Sequence, residues 1–485
     1  MKKLVLIALI TILLFASSQV MASSALTHPQ FSVTAGNNTR FHKYDFGTIK
    51  INNNAELQKF VKKYHFRGSG TPSDPYVISH IVPETLILEN ISAHLIIEDS
   101  LIGLGSYTWH LKVINTSNLE LKRINGPWGW TLFDHDFNIT LSNFYQCESN
   151  VIISNSTNMI ISNMPSGLYF TFNHVKNVQI NNSNTSMFFE NSQYISISNT
   201  TYRNYWDWTI DLWNCTYATI TNSSLESDGL FEWKDSSHIW LKNLIIKGIE
   251  IDDTLVEFSG EKKVERDIHL ENVHIQGEMD MSNIQNLTIK NVSIQRSECV
   301  GCYIVAINKA FNITLDNLYI SGELLYFYGT KIKNSKNVII KNSKFEDSIY
   351  GINLKNTKNI TIKDSTFKDS IYGMNLKDTK DVIIENSTFE NIKKDGILIQ
   401  NSSNIKIIGN NFVWKVPNPI KLNGTVSYLI LQKNARGVRA YPLVFNIVLA
   451  VFLIILLISA GAYEKRKDYR REATLEYYRK IGKIK

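Results

Sequence analysis

The chain has 485 residues, 44% of them hydrophobic and 11% aromatic, and 51 Lys+Arg against 44 Asp+Glu give a net charge of +7. Two lysines at the start and a net five positive charges in the tail 464–485 account for all of it, so the region between is neutral. That distribution supplies no basic field for nucleic acid, which we exclude as a partner.

The chain opens with Lys2 and Lys3, an apolar run over 4–15 and a small-residue exit at Val20-Met21-Ala22. This layout predicts a secretory signal peptide over 1–22. Residues 23–68 form an N-terminal segment with a capping helix, in which Asn54 is the N-cap and Leu57, Phe60, Val61 and Tyr64 share one face.

From Asn337 onward the sequence repeats. Residues 337–358 read NVIIKNSKFEDSIYGINLKNTK and 359–380 read NITIKDSTFKDSIYGMNLKDTK, with 15 of 22 positions identical. Phe345, Phe367 and Phe389 keep the 22-residue step, as do Gly351 and Gly373. Short β-branched alternations punctuated by Asn, Ser, Asp and Gly argue strands, three per repeat, in a stacked architecture. The expected fold is an all-β right-handed parallel β-helix of about fifteen coils over 69–428, roughly 70 Å long at the usual strand spacing.

A marker column carries the register backwards from Asn359: Asn337, Asn312, Asn286, Asp267, His238, Tyr217, Tyr194, Asn177, Asn158, Asn138 and Asn118. Forward it reaches Asp381 and Asn404. Three residues before it runs a second column: Asn115, Asn155, Asn191, Asn214, Asn283, Asn334, Asn356 and Asn401, with His135, His174, Asp235, Lys309 and Asp378 in other coils. Asparagine tolerates left-handed backbone and its amide can bridge coils, so this column predicts a structural asparagine ladder at a tight turn. Several of these residues lie in N-x-S/T sequons. Exposed sequons such as Asn37 and Asn90 suit a glycoprotein, whereas the ladder sequons Asn115, Asn155, Asn214 and Asn401 are expected to be buried turn residues.

Beyond the repeats, 429–442 is a short linker and 443–463 is an apolar stretch long enough to span a bilayer once. The basic tail 464–485 then marks the cytoplasmic side. The reading is a single-pass cell-membrane protein with the bulk of its chain outside. Of four cysteines, Cys299 and Cys302 form one CVGC, a local disulfide candidate; a four-ligand zinc site would need two such pairs. Cys147 and Cys215 fall three coils apart, ~14 Å, too far to pair.

The segment 68–79, GSGTPSDPYVIS, together with the 22-residue coils, resembles archaeal surface proteins with right-handed parallel β-helix repeats, a broad group that includes pectin-lyase-like folds. The resemblance covers roughly residues 54–412. It implies the fold and a surface location, and it leaves activity open, because one fold hosts many functions.

In Ile352-Asn353-Leu354-Lys355 the apolar residues point inward, so Asn353 and Lys355 point out. The equivalents of Asn353 are Phe188, Asp211, Glu232, Glu257, Asp280 and Ala306, four carboxylates in successive coils, with Trp213 and Lys234 in the column beside them. Repulsion at one-coil spacing should raise at least one of these pKa values unless a cation intervenes. The column has three readings: a solvated acidic face, a binding site for Ca²⁺ or a ligand, or a pair of carboxylates for glycoside cleavage. We find neither the paired aspartates nor the GHG of polygalacturonases, and the arginines nearest the column, Arg203 and Arg266, do not fall in it. Asp134-His135-Asp136 looks metal-like, but His135 and His174 stand two coils apart. The leading expectation is a surface protein that binds glycan or envelope components, or acts as a structural rod. The alternative is a membrane-tethered polysaccharide lyase or glycosidase.

Overall fold

The computed structural model describes residues 45–437 except 104–108, 127–128, 147–148, 205–209, 228–229, 249–255, 297–300 and 323–326. The signal segment, the apolar stretch 443–463 and the basic tail lie outside the described residues. Within them, no helix is long and apolar enough to cross a membrane.

The described residues form an all-β right-handed parallel β-solenoid of about 14 turns, close to the fifteen expected. Each coil has three faces, illustrated by the strands Lys358–Lys363, Thr366–Lys368 and Tyr372–Lys377, which we call the first, second and third faces. The coils pair in parallel, with antiparallel bridges at Arg67–Val77 and Thr71–Asp74 in the entry segment, and the repeat is in register: Ile360 pairs with Val382, Phe367 with Phe389 and Met374 with Ile397. Alternation places one set of β-branched and aromatic residues inside, and these merge into one continuous apolar column running the length of the solenoid.

The corners explain the asparagines. All fourteen marker residues from Asn118 to Asn404 have positive φ, as do all thirteen residues of the second column. Left-handed backbone costs an ordinary residue about 1–2 kcal/mol, which Asn and Asp largely escape through local hydrogen bonds. The marker amides also bridge coils: Asn158 Nδ2 donates to Asn138 Oδ1 at 3.2 Å, Asn337 to Asn312 at 3.0 Å and Asn359 to Asn337 at 2.8 Å. Where the marker is not Asn or Asp, ring stacking takes over. Tyr194, Tyr217 and His238 stack with nearly parallel rings, their centroids 5.0 and 4.5 Å apart.

The second column also forms a ladder, with Asn214 donating to Asn191 at 2.6 Å and Asn356 to Asn334 at 2.7 Å. Its burial corrects the expectation. Asn115, Asn155, Asn214 and Asn401 are exposed. The buried residue is the next one along, which projects inward: Thr116, Ser156, Cys215 and Ser402. These side chains accept the N–H of the preceding coil, as Ser236 Oγ does from Cys215 N at 3.0 Å and Ser402 Oγ from Thr379 N at 3.0 Å. The tightness of the corner turns the amide outward and the hydroxyl inward.

The phenylalanine and glycine steps are one feature. Phe345, Phe367, Phe389 and Phe412 stack at 4.9–5.1 Å inside the solenoid. A Cβ on Gly373 would sit 2.6 Å from the Phe389 ring and 2.5 Å from the Gly396 carbonyl oxygen. The glycines therefore vacate the space that the rings fill.

The capping helix, α1, spans Asn54–Lys63. Its N-cap is Asn53, whose side chain accepts the Glu56 N–H at 2.9 Å, one residue before the expected Asn54. Asn54 instead reaches into the first coil, accepting the N–H groups of Ser92 and Ala93, each at 3.0 Å. Leu57 and Val61 are buried against the core and Phe60 packs beside them, while Tyr64 is the C-cap. The segment 68–79 then turns the chain into the strand Tyr76–Ser79. Gly68 has φ 101°, and a Cβ there would meet the Pro75 carbonyl oxygen at 1.9 Å.

Candidate functional site

The third face carries the expected acidic column. Phe188 pairs with Asp211, Glu232 with Glu257, Glu257 with Asp280 and Asp280 with Ala306. The pairing of Trp213 with Lys234 puts Asp211 level with Glu232, two residues earlier in each strand. Asp211, Glu232 and Glu257 are half-buried and Asp280 is exposed. Inward neighbours hold them rigidly: Leu212, Trp233, Phe258 and Met281 are all fully buried. As expected, Trp213 faces out and Trp233 faces in, where its indole N–H donates to the Ile210 carbonyl at 3.0 Å.

A cation stands among the acids. Lys234 Nζ lies 3.1 Å from Glu232 Oε1 and 3.9 Å from Glu261 Oε1. Desolvation opposes its charge, yet its hydrogen bond to Glu232 and the fields of Glu232, Glu257 and Glu261 raise its pKa overall. The same ammonium sits 5.3 Å from the Trp213 ring centroid, and Phe188 packs edge-on against that ring at 5.1 Å. Trp213 is therefore a partly covered ring, 38% exposed. Asp280, one coil beyond Glu257, is exposed by surface area, yet the protein atoms crowding its carboxyl desolvate it and raise its pKa. A cation therefore does intervene in one part of the column, but the upward shift of Asp280 has another origin than the expected repulsion: desolvation raises it, and the charge of Lys331 opposes the rise.

Past Ala306 the strip changes character. Lys331 stands 4.3 Å from the Tyr303 ring, and Tyr303, Tyr328, Tyr350 and Tyr372 stack along the edge of the same face at 4.6–5.8 Å. Asn375 donates to Asn353 at 3.1 Å, and Gln400 donates to Asn375 at 3.1 Å. This tyrosine ladder is absent from the sequence expectations, although Tyr350 and Tyr372 recur at the repeat step and signal it. Tyr169 on the same face is a further residue not expected there; burial raises its pKa, and the charge of Asp211 adds to the shift.

Other sequence candidates disperse. Asp134 and His135 meet at the surface, with His135 Nδ1 3.0 Å from Asp134 Oδ2, whereas Asp136 is buried on the inner side and does not join them. Arg203 lies on the second face against Glu226, 3.4 Å away, and Arg266 lies at an exposed corner. Among the described residues no three His, Cys, Asp or Glu side chains converge as a metal set. Cys302 is disulfide-bonded, while Cys299 and Cys147 lie outside the described residues. Cys215 is a free, buried thiol. A shallow groove of about 340 Å³ lined by Asn138, Asn158, Asn177 and Gln179 lies on the first face, away from the acids. Its asparagine amides are engaged with one another, so we place the site on the third face.

A family model described as "Right handed beta helix region" matches residues 271–435. A search of curated proteins returns no match. Among solved structures, the chain is similar to the Streptococcus pneumoniae surface protein and adhesin PfbA, with 11% identity over 67% of this chain and 92% of that one and a TM-score of 0.34. It is also similar to the catalytic unit of a GH87 alpha-1,3-glucanase from Streptomyces thermodiastaticus, with 11% identity over 71% and 64% and a TM-score of 0.27. A third is tailspike protein 3 of Bacteriophage CBA120, with 10% identity over 75% and 57% and a TM-score of 0.28. Superpositions this loose carry no functional inference.

Proposed function

We propose that the chain is a single-pass cell-surface protein whose solenoid presents the Asp211–Trp213–Glu232 strip to a glycan. The observation that carries this reading is the column Asp211, Glu232, Glu257, Asp280, interleaved with Lys234 and Trp213 on one rigid face. Its groups repeat once per coil, about every 4.8 Å along the axis, which suits an extended polymer lying along the solenoid. Carboxylates accept hydrogen bonds from sugar hydroxyls, Lys234 donates them, and an indole offers an apolar surface to a sugar ring. The surface location rests on the signal-like start, the apolar stretch 443–463 with its basic tail, and the resemblance of 68–79 to archaeal surface proteins.

The second reading is a membrane-tethered lyase or glycosidase. The pairing of Asp280 with Glu257 favours it, since two carboxyls one coil apart stand at the ~5 Å separation that retaining glycosidases use, and desolvation raises the pKa of Asp280 in the direction a general acid needs. A binding and depolymerisation screen of the full-length chain against polysaccharides, with Ca²⁺ and with chelator, separates the two. Binding without cleavage supports recognition. Cleavage lost in Asp280→Asn assigns the enzyme, and loss of binding in chelator assigns Ca²⁺ to the column.

A further inference from the structure

The two ends of the solenoid are built differently. At the first coil α1 covers the core. At the other end, the strand Asn418–Gln432 pairs with the strand before it, and no described strand pairs with its far side. Side chains that would be interior in a middle coil are open there. Leu422 continues the buried column Leu354, Leu376, Ile399 and is 50% exposed; Leu431 continues Ile384 and Ile407 and is 52% exposed. Tyr428 beside them is 84% exposed.

The charge at this end is one-sided. Residues 396–437 contain Lys406, Lys415, Lys421, Lys433 and Arg436 and no Asp or Glu. An acid reaches in only from the coil before, as Asp395 Oδ2, 3.7 Å from Lys421 Nζ. Lys415 lies 5.8 Å from the ring of Trp414, so aromatic and cationic groups are side by side.

Charge selects among the surfaces that could cover such an end. A second copy docking end to end would bring two basic ends together, and head-to-tail stacking would meet the first coil, which α1 already covers. Anionic lipid headgroups complement the charge, take Trp and Tyr at the interface and accept exposed leucines at the acyl boundary. Chain length agrees: from Gly437 to Leu443 is six residues, at most about 20 Å of extended backbone.

We propose that the C-terminal end of the solenoid docks on anionic lipid headgroups through Trp414, Tyr428, Leu431, Lys415, Lys421 and Lys433, and so stands the solenoid upright on the membrane. The proposal rests on the membrane-anchored reading for its proximity to the bilayer. Its consequence is a fixed height for the acidic strip. Asp280 is six coils from Lys421, about 29 Å, and Asp211 is nine coils away, about 43 Å.

The test is amide hydrogen exchange of the full-length chain in nanodiscs of phosphatidylcholine alone or mixed with phosphatidylglycerol. Resistance to alkaline extraction reports the anchor independently. The expected result is at least tenfold slower exchange over residues 418–437 in the anionic discs, lost in the combined Lys415→Gln, Lys421→Gln, Lys433→Gln variant, with residues 337–395 unchanged. Equal exchange in both lipids for an inserted chain overturns the docking and leaves the anchor standing. Protection that follows protein concentration rather than lipid also overturns it, in favour of a second copy. If the chain is extracted, the anchor reading fails. Co-sedimentation with phosphatidylglycerol vesicles but not phosphatidylcholine vesicles then still supports the docking surface, and sedimentation with neither overturns it.

Discussion

Asp211 and Glu232 are joined through the backbone: Oδ1 of Asp211 accepts the N–H of Glu232 at 2.9 Å. The first acid of the column is therefore oriented by the strand that carries the second. Lys234 completes the unit: Asp211 Oδ1 is committed to the backbone of the next strand and Glu232 Oε1 to the ammonium, 3.1 Å away. A ligand meets a preorganised polar edge, and binding there costs little side-chain ordering.

Two buried acids make stability pH-dependent. Asp136 and Glu265 occupy the inward corner position that many other coils fill with Ser or Thr, and each leaves one buried carboxyl oxygen without a hydrogen-bond partner. Burial raises their pKa values to about 8 and about 9, from 3.8 and 4.5. A raised folded-state pKa means stability is fully present below about pH 4 and is lost as pH rises through 8 to 9, by at most about 1.4 kcal/mol per pH unit for each group. Thermal unfolding should therefore show Tm falling between pH 5 and pH 9. Asp136→Asn and Glu265→Gln should each flatten that fall, because an amide keeps the acceptor and has no charge to bury.

Gly373→Ala tests the packing of the repeat. The added methyl would meet the Gly396 carbonyl and the Phe389 ring at or below 2.6 Å, so one of the stacked neighbours must move. Overpacking of this kind costs about 1–3 kcal/mol, read as a lower midpoint in denaturant. Gly301→Ala is a different control: a Cβ there meets nothing within 4 Å, but φ is 82°, so any cost is backbone strain alone.

Cys215 should be inert in the folded chain. Burial pushes its thiol up to about 12, and its Sγ donates weakly to the carbonyls of Trp213 and Phe189. Iodoacetamide should label it only after denaturant unfolds the coil. Cys215→Ser should change stability little, since Ser192 and Ser236 hold the equivalent positions in the neighbouring coils.

The fold was legible because its period is stamped on the residues that make the corners. Asn337, Asn359 and Asp381 recur where backbone must turn left-handed, and following that one column back to Asn118 gave the pairing Glu232–Glu257–Asp280 across coils of unequal length. Burial at the corners was not legible. A turn asparagine is equally suited to either side of the wall, and only the tightness of the turn puts Asn214 outside and Cys215 inside. The covering of Trp213 by Lys234 and Phe188 was also hidden, because it depends on where flexible side chains settle between coils. The same holds for the cap of α1: Asn53 and Asn54 are equally good in isolation, and the contact of Asn54 with Ser92 and Ala93 decides between them.

The central claim is that the third face recognises a glycan without cleaving it. The direct measurement is calorimetric titration of the full-length chain, as wild type, Asp211→Asn and Glu232→Gln, with the polysaccharide that the binding screen selects, followed by end-group assay of the same samples. The account predicts that each substitution weakens binding at least tenfold while the melting curve is retained, and that no new reducing or unsaturated ends appear. Unchanged affinity in both variants, or accumulation of new ends in the wild type, would contradict it.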